Sequence, residues 1–76
     1  MWSNVLRLTL PNGERHETLI RTGSQRGARM VRRPFAELAL AHWHDPRTTL
    51  EVATSRGWKP RRIVKAGKNY YTRELR

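Results

Sequence analysis

The sequence predicts a small α+β domain with an N-terminal β-hairpin, three short helices and a C-terminal strand. Three observations predict it. Val5 to Leu10 alternates, with Leu6, Leu8 and Leu10 on one face and Val5, Arg7 and Thr9 on the other, the period of a half-buried strand. Pro34 to His44 instead sets Phe35, Leu38, Ala39 and His42 at helical spacing. Asn69 to Leu75 is aromatic and β-branched, which suits a strand with Tyr70 and Tyr71 on opposite faces, one in the core and the other free to stack or hydrogen-bond.

In chain order, the hairpin is predicted over residues 5–22. Pro11-Asn12-Gly13 supplies its turn, because proline presets φ while Asn and Gly tolerate positive φ. Arg15 to Thr22 returns as the second strand, with Thr18 and Ile20 on one face and Leu19 on the other. An isolated hairpin is marginal in water, so its leucine face needs a cover. Trp2 precedes it, either folded back on the core or exposed as an anchor for a partner. Residues 23–33, GSQRGARMVRR, read as a flexible basic loop that orders on contact with phosphate, or as a solvated connector. Met30 and Val31 either begin the next helix early or tuck under it. The first helix, residues 34–44, then packs on the hairpin leucines, with Trp43 extending its face. Asp45-Pro46 ends it, since the residue before proline avoids helical angles.

Residues 48–67 predict two further helices around a turn. Thr48-Thr49-Leu50-Glu51 fits a capping box, and Leu50, Val52 and Ala53 supply a short apolar stripe. Gly57 suits a helix C-terminus and Pro60 a first helical position. Ile63 and Val64 would be the buried side of the second helix, and Gly67 its stop. Ala53, Gly57 and Ile63 have the spacing of the small residue, turn glycine and buried aliphatic of a helix-turn-helix, so the stretch resembles that family of DNA-binding regulators. The resemblance covers about a quarter of the chain, and Lys59 stands where a Ser or Thr cap is usual. It implies a recognition helix beginning at Lys59 to Lys65, a terminal strand serving as half of a wing or as a third strand joining the hairpin, and a dimer if a DNA operator is read.

Charge narrows the function classes. The chain carries +10 over 76 residues, with 13 arginines against 3 lysines. A field of that size attracts polyanions or an acidic protein surface. Arg56, Lys59, Arg61, Arg62, Lys65 and Lys68 follow one another without an intervening acid. With Arg26, Arg29, Arg32 and Arg33 of the basic loop they form the candidate nucleic-acid contacts, with DNA favoured over RNA. Arg61, Arg62 and Lys65 are the candidates for reading bases, and Arg56, Lys59 and the loop arginines for holding phosphates.

Other chemistries find no support. His42-Trp43-His44-Asp45 is a poor metal cluster, because helix residues two apart do not face each other and His16 is distant. Ser3, Ser24 and Ser55 lack a base-and-orienter pair, the six acids are scattered, and the glycines do not form a phosphate loop. The expectation is a protein without enzymatic activity, cofactor or metal. The lack of cysteine fits a reducing cytoplasm, and neither a membrane span nor a signal-peptide pattern is visible. A chain this short builds one domain with a thin core.

A second reading comes from a resemblance of type. Tiny, basic, cysteine-free chains with an early strand resemble phage proteins that bind a host machine such as RNA polymerase and inhibit or modulate transcription. That implies a partner surface at Trp2, Val5, Arg7 and Thr9, with residues 5–10 adding to a partner's sheet edge in the host cytoplasm.

Overall fold

The computed structural model describes residues 1–75. It contains strands β1 (Trp2–Thr9), β2 (Arg15–Thr22), β3 (Met30–Val31), β4 (Thr49–Thr54), β5 (Gly57–Ala66) and β6 (Asn69–Glu74), with helices α1 (Gln25–Ala28) and α2 (Arg33–Ala41). The strands form one antiparallel sheet in the order β2-β1-β4-β5-β6-β3, curled into a nearly closed barrel. With 53% strand and 17% helix, the protein is mostly β, which overturns the three-helix α+β expectation.

The hairpin forms with Leu6 opposite Thr18 and Leu8 opposite His16, and its turn closes through Gly13 N to Leu10 O at 2.9 Å. β1 also pairs with β4, placing Leu6 beside Val52 and Leu8 beside Leu50. These inward side chains, with Leu10, Val31 and Tyr70, make the core. α2 covers them with Ala36 and Ala39, both fully buried, while Phe35 and Leu38 pack at its margins. Two alanines at the contact let the short helix lie close to the sheet, so its innermost face is rotated towards Ala36 relative to the Phe35–Leu38–Ala39–His42 stripe. The helix also ends earlier than expected, with His42 as its C-cap.

The helix-turn-helix expectation for residues 48–67 fails throughout. Those residues form β4 and β5, joined by a two-residue turn. Each expected helix is only about two turns long, too short to hold without strong packing. Leu50 and Val52 are instead buried alternately, with Glu51 on the opposite face. Thr48 does not cap a helix: its hydroxyl donates to the His42 carbonyl at 2.6 Å. Gly57, at φ +106°, belongs to the hairpin turn. Pro60 does not open a helix but lies where β5 stops pairing with β4, since Arg61 onward pairs with β6. A residue without an N–H suits that change of partner.

The flexible-loop expectation for residues 23–33 is also corrected. Ser24 caps α1 by accepting from Gly27 N at 3.0 Å, and Ala28 and Val31 are buried. Asn4 Nδ2 donates to the Ala28 carbonyl at 2.8 Å, Thr72 N donates to Arg29 O at 2.9 Å, and β3 pairs with Tyr70 and Tyr71. A Cβ at Gly27 would collide with the Thr22 hydroxyl. Among the described residues, no helix is long and apolar enough to cross a membrane.

Two predictions follow from the packing and the α2–β4 connection. Leu8→Ala should lower unfolding free energy in urea by about 2–5 kcal/mol, while Leu40→Ala, at a 41% exposed position, should stay within about 0.5 kcal/mol. Asp45 accepts from Arg47 Nη2 at 2.8 Å, Nε at 3.1 Å and N at 2.9 Å. The guanidinium first and the amide second hold the Asp45 carboxyl down to about 2. Its folded value lies below the unfolded one near ~3.9, so its stabilisation is present above that pH and disappears as pH falls towards 2. Asp45→Asn should therefore flatten the acid limb of a melting-temperature profile across that window.

Candidate nucleic-acid interface

Register fixes which basic side chains share a surface. On β5 and β6, Arg61 lies opposite Glu74, Ile63 opposite Thr72 and Lys65 opposite Tyr70, all towards the barrel interior or its rim. Arg62 opposite Arg73 and Val64 opposite Tyr71 face outward, and Met30 on β3 continues the Tyr71 row. Two arginines directly opposed across an antiparallel ladder repel each other, a destabilising pair unless an anion lies between them.

β5 changes partner here, pairing with β4 up to Pro60 and with β6 from Arg61, and Arg29 follows directly on α1. Arg29, Arg61, Arg62 and Arg73 line an open basin of about 800 Å³ together with Glu74 and Leu75. Glu74 is the one acidic side chain among the described lining residues. Most of the other carboxylates are engaged elsewhere: Glu14 with His16, Glu37 with Arg33, Asp45 with Arg47 and Glu51 with Arg7.

Arg61 is the best-fixed member of the basin. Its Nη2 donates to the Thr72 carbonyl at 3.2 Å and to the Thr72 hydroxyl at 3.1 Å, while its Nε is buried without a partner among the described residues. Burial first, and the positive charge of Arg29 second, lower its pKa from the ordinary arginine value, with Glu74 opposing. A guanidinium stays charged under such a shift. Arg61 is thus a cation with donor capacity left over, beside three further cations.

Two shallower grooves adjoin the basin. One, of about 230 Å³, is lined by Arg26, Arg29, Arg73 and Tyr71 with Val64, Ala66 and Thr72. The other, of about 180 Å³, places the half-exposed Trp2 beside Arg29 and Arg61. A third depression joins Arg56 and Lys59 to Arg61.

The structure therefore brings together Arg26, Arg29, Arg56, Lys59, Arg61 and Arg62 of the sequence candidates. Arg61 and Arg62 do so from opposite faces of a strand, not from a recognition helix. Lys65 lies outside the basin, its Nζ 5.8 Å from the Tyr70 ring centroid, and Lys68 sits in the β5–β6 turn. Arg32 is the N-cap residue of α2, and Arg33 is paired with Glu37. Sequence reasoning missed Arg73, and it left open which of Tyr70 and Tyr71 is the core residue: Tyr70 is buried and Tyr71 is half-buried on the outer face. The available signal was the acid-free run beginning at Val52, which extends through Arg73, and the register that a Gly67-Lys68 turn imposes on the strands beside it.

The expected partner strand has no free edge where it was needed. β1 is bonded to β2 along its length and to β4 from Leu6 to Thr9, so residues 6–9 are closed to a partner's sheet. Arg7 is occupied too: Nη2 lies 3.2 Å from Glu51 Oε1, and the guanidinium stacks 4.0 Å from the Trp58 ring centroid. Val5 and Thr9 face outward on the barrel wall, half-buried.

Comparison of the chain with protein-family models, curated proteins and solved structures finds no match in any of the three.

The opposed arginines give a direct test. Arg73→Thr in low salt should raise stability by about 0.5 kcal/mol, because it removes the repulsion with Arg62. Added phosphate should raise the melting temperature of the natural chain more than that of an Arg62→Ala/Arg73→Ala variant, as mass action requires for an anion bound to the folded state. Equal phosphate effects on both proteins would remove the basin as an anion site.

Proposed function

We propose that the protein binds nucleic acid in the cytoplasm, gripping the phosphate backbone in the arginine basin at the open end of its barrel. The observation that carries this reading is that Arg29, Arg61, Arg62 and Arg73 line one open basin with Glu74 as the one acidic side chain among its described residues. Arginine's planar fork matches phosphate oxygens, and phosphate contacts supply most sequence-independent affinity. The +10 charge adds long-range attraction, so encounter is fast and strongly salt-dependent. Base reading by a recognition helix loses its support, because β5 stands where that helix was expected. What remains supported is backbone contact by a folded sheet surface, which fits a regulatory or accessory role on nucleic acid and needs no catalytic group.

The test is fluorescence anisotropy of a labelled oligonucleotide titrated at several salt concentrations. Log affinity should fall linearly with log salt, and the double variant Arg62→Ala/Arg73→Ala should bind more weakly with a slope reduced by about 2. Arg15→Ala, on the exposed side of β2 away from the basin residues, should leave the slope unchanged. A double variant that binds with the slope of the natural protein would sink the assignment.

A further inference from the structure

Building on that reading, we infer that the ligand is single-stranded nucleic acid, with bases stacked on Trp2 and Tyr71 in the two grooves that adjoin the arginine basin. The groove holding Tyr71 shares Arg29 and Arg73 with the basin, and the groove holding Trp2 shares Arg29 and Arg61 with it. Arg29 lines the basin and both grooves, so a phosphate held there is within reach of both aromatic side chains. Trp2 is 50% exposed although it lies on the inward register face of β1, at a position where β1 is paired with β2 but not with β4. Tyr71 is half-buried on the outer face, flanked by the Arg62–Arg73 row and by Val64 and Met30. Aromatic rings alternating with guanidinium groups are the surface that single strands use, since an unpaired base offers its π-face and a duplex keeps that face in its own stack.

The same geometry disfavours a duplex. Groove reading needs a helix or a two-stranded ribbon that projects into the DNA. The long β5–β6 ribbon is not free to do so: β3 is hydrogen-bonded along Tyr70 and Tyr71, and Tyr70 and Ile63 are packed into or against the core. α1, with four residues, is too short to fill a groove. The two other tryptophans do not compete for bases, since Trp43 packs against the core and Trp58 lies under Arg7.

The experiment compares labelled oligomers of roughly 12 nucleotides, within the span a small single-strand module covers, as single-stranded DNA, single-stranded RNA and duplex DNA at one salt concentration. A single strand should bind at least about tenfold more tightly than the duplex and should quench tryptophan fluorescence. The stronger of the DNA and RNA arms identifies the natural sugar. Trp2→Leu and Tyr71→Leu should each weaken single-strand binding roughly fivefold or more while leaving the salt slope in place, and Tyr71→Phe should bind like the natural chain. Thermal melts check the fold of each variant, and Trp2→Leu, at an exposed terminal position, serves even where Tyr71→Leu is destabilised. Duplex binding as tight as single-strand binding, or unchanged single-strand affinity in folded Trp2→Leu, would overturn the inference. Duplex binding that still depends on Arg62 and Arg73 would leave the basin reading standing, whereas no binding to any oligomer would remove both.

Discussion

The structure depends on the change of partner at Pro60 and Arg61. Up to Pro60, β5 pairs with β4; from Arg61 it pairs with β6. One ten-residue strand therefore joins the half of the sheet built on the N-terminal hairpin to the half that carries β6 and β3. Without that shared strand the leucines of β1 and β4 would have no continuous wall to close against, and Tyr70 and Val31 would not reach the same core. Arg61, the first residue after the hand-over, is also a lining residue of the arginine basin. Fold and candidate site thus meet beside a residue that cannot donate a backbone hydrogen bond.

The distribution of charge reinforces this. A chain with 16 basic and 6 acidic residues cannot pair most of its cations, and the question is where the unpaired ones lie. Carboxylates are used beside the hairpin, on α2, in the α2–β4 connection and on the barrel wall over Arg7. The barrel end is left with four arginines and Glu74. A thin core does not readily tolerate such repulsion, since a domain this small buries a modest fraction of its surface. Locally unfavourable chemistry retained in a marginal fold is expected where a ligand relieves it.

How much of this was legible in the sequence follows from the range of the interactions involved. The hairpin, α2 and β6 were visible because their signals are local: alternation in Val5–Leu10, helical spacing in Phe35–His42, and the aromatic pair at Tyr70-Tyr71. β4 and β5 were misread because Thr48, Gly57 and Pro60 each have a role at helix ends as well as in a sheet. The alternation of Leu50 and Val52, once Ala53 is added, also fits a helical stripe. The β-branched content of Thr49, Val52, Thr54, Ile63 and Val64 was the better guide. Residues 23–33 looked flexible because everything that orders them is distant in sequence: Asn4 holds Ala28, and Thr72 holds Arg29. The candidate site was half legible. Arg29, Arg61 and Arg62 stand out by composition and the Tyr70-Tyr71 pair by alternation, but Arg73, and the choice between the two tyrosines, enter only once the register across the Gly67-Lys68 turn is known.

The arginines of the basin also differ in what binding would ask of them. Arg61 is held to both oxygens of Thr72 and is partly desolvated, so little rotamer freedom remains for it to lose. Arg62 and Arg73 are exposed on the outer face, and ordering such long side chains costs about 0.5–1.5 kcal/mol each. Relief of their mutual repulsion offsets part of that cost, since an anion between them converts an unfavourable pair into two favourable contacts. A fixed cation at the barrel rim and two mobile ones on the wall therefore suit a flexible backbone that must be caught before it is aligned. Arg61 would set the position of one phosphate, and the outer pair would close on its neighbour. A rigid duplex, whose phosphates come at a set spacing, has less use for this division between fixed and mobile cations.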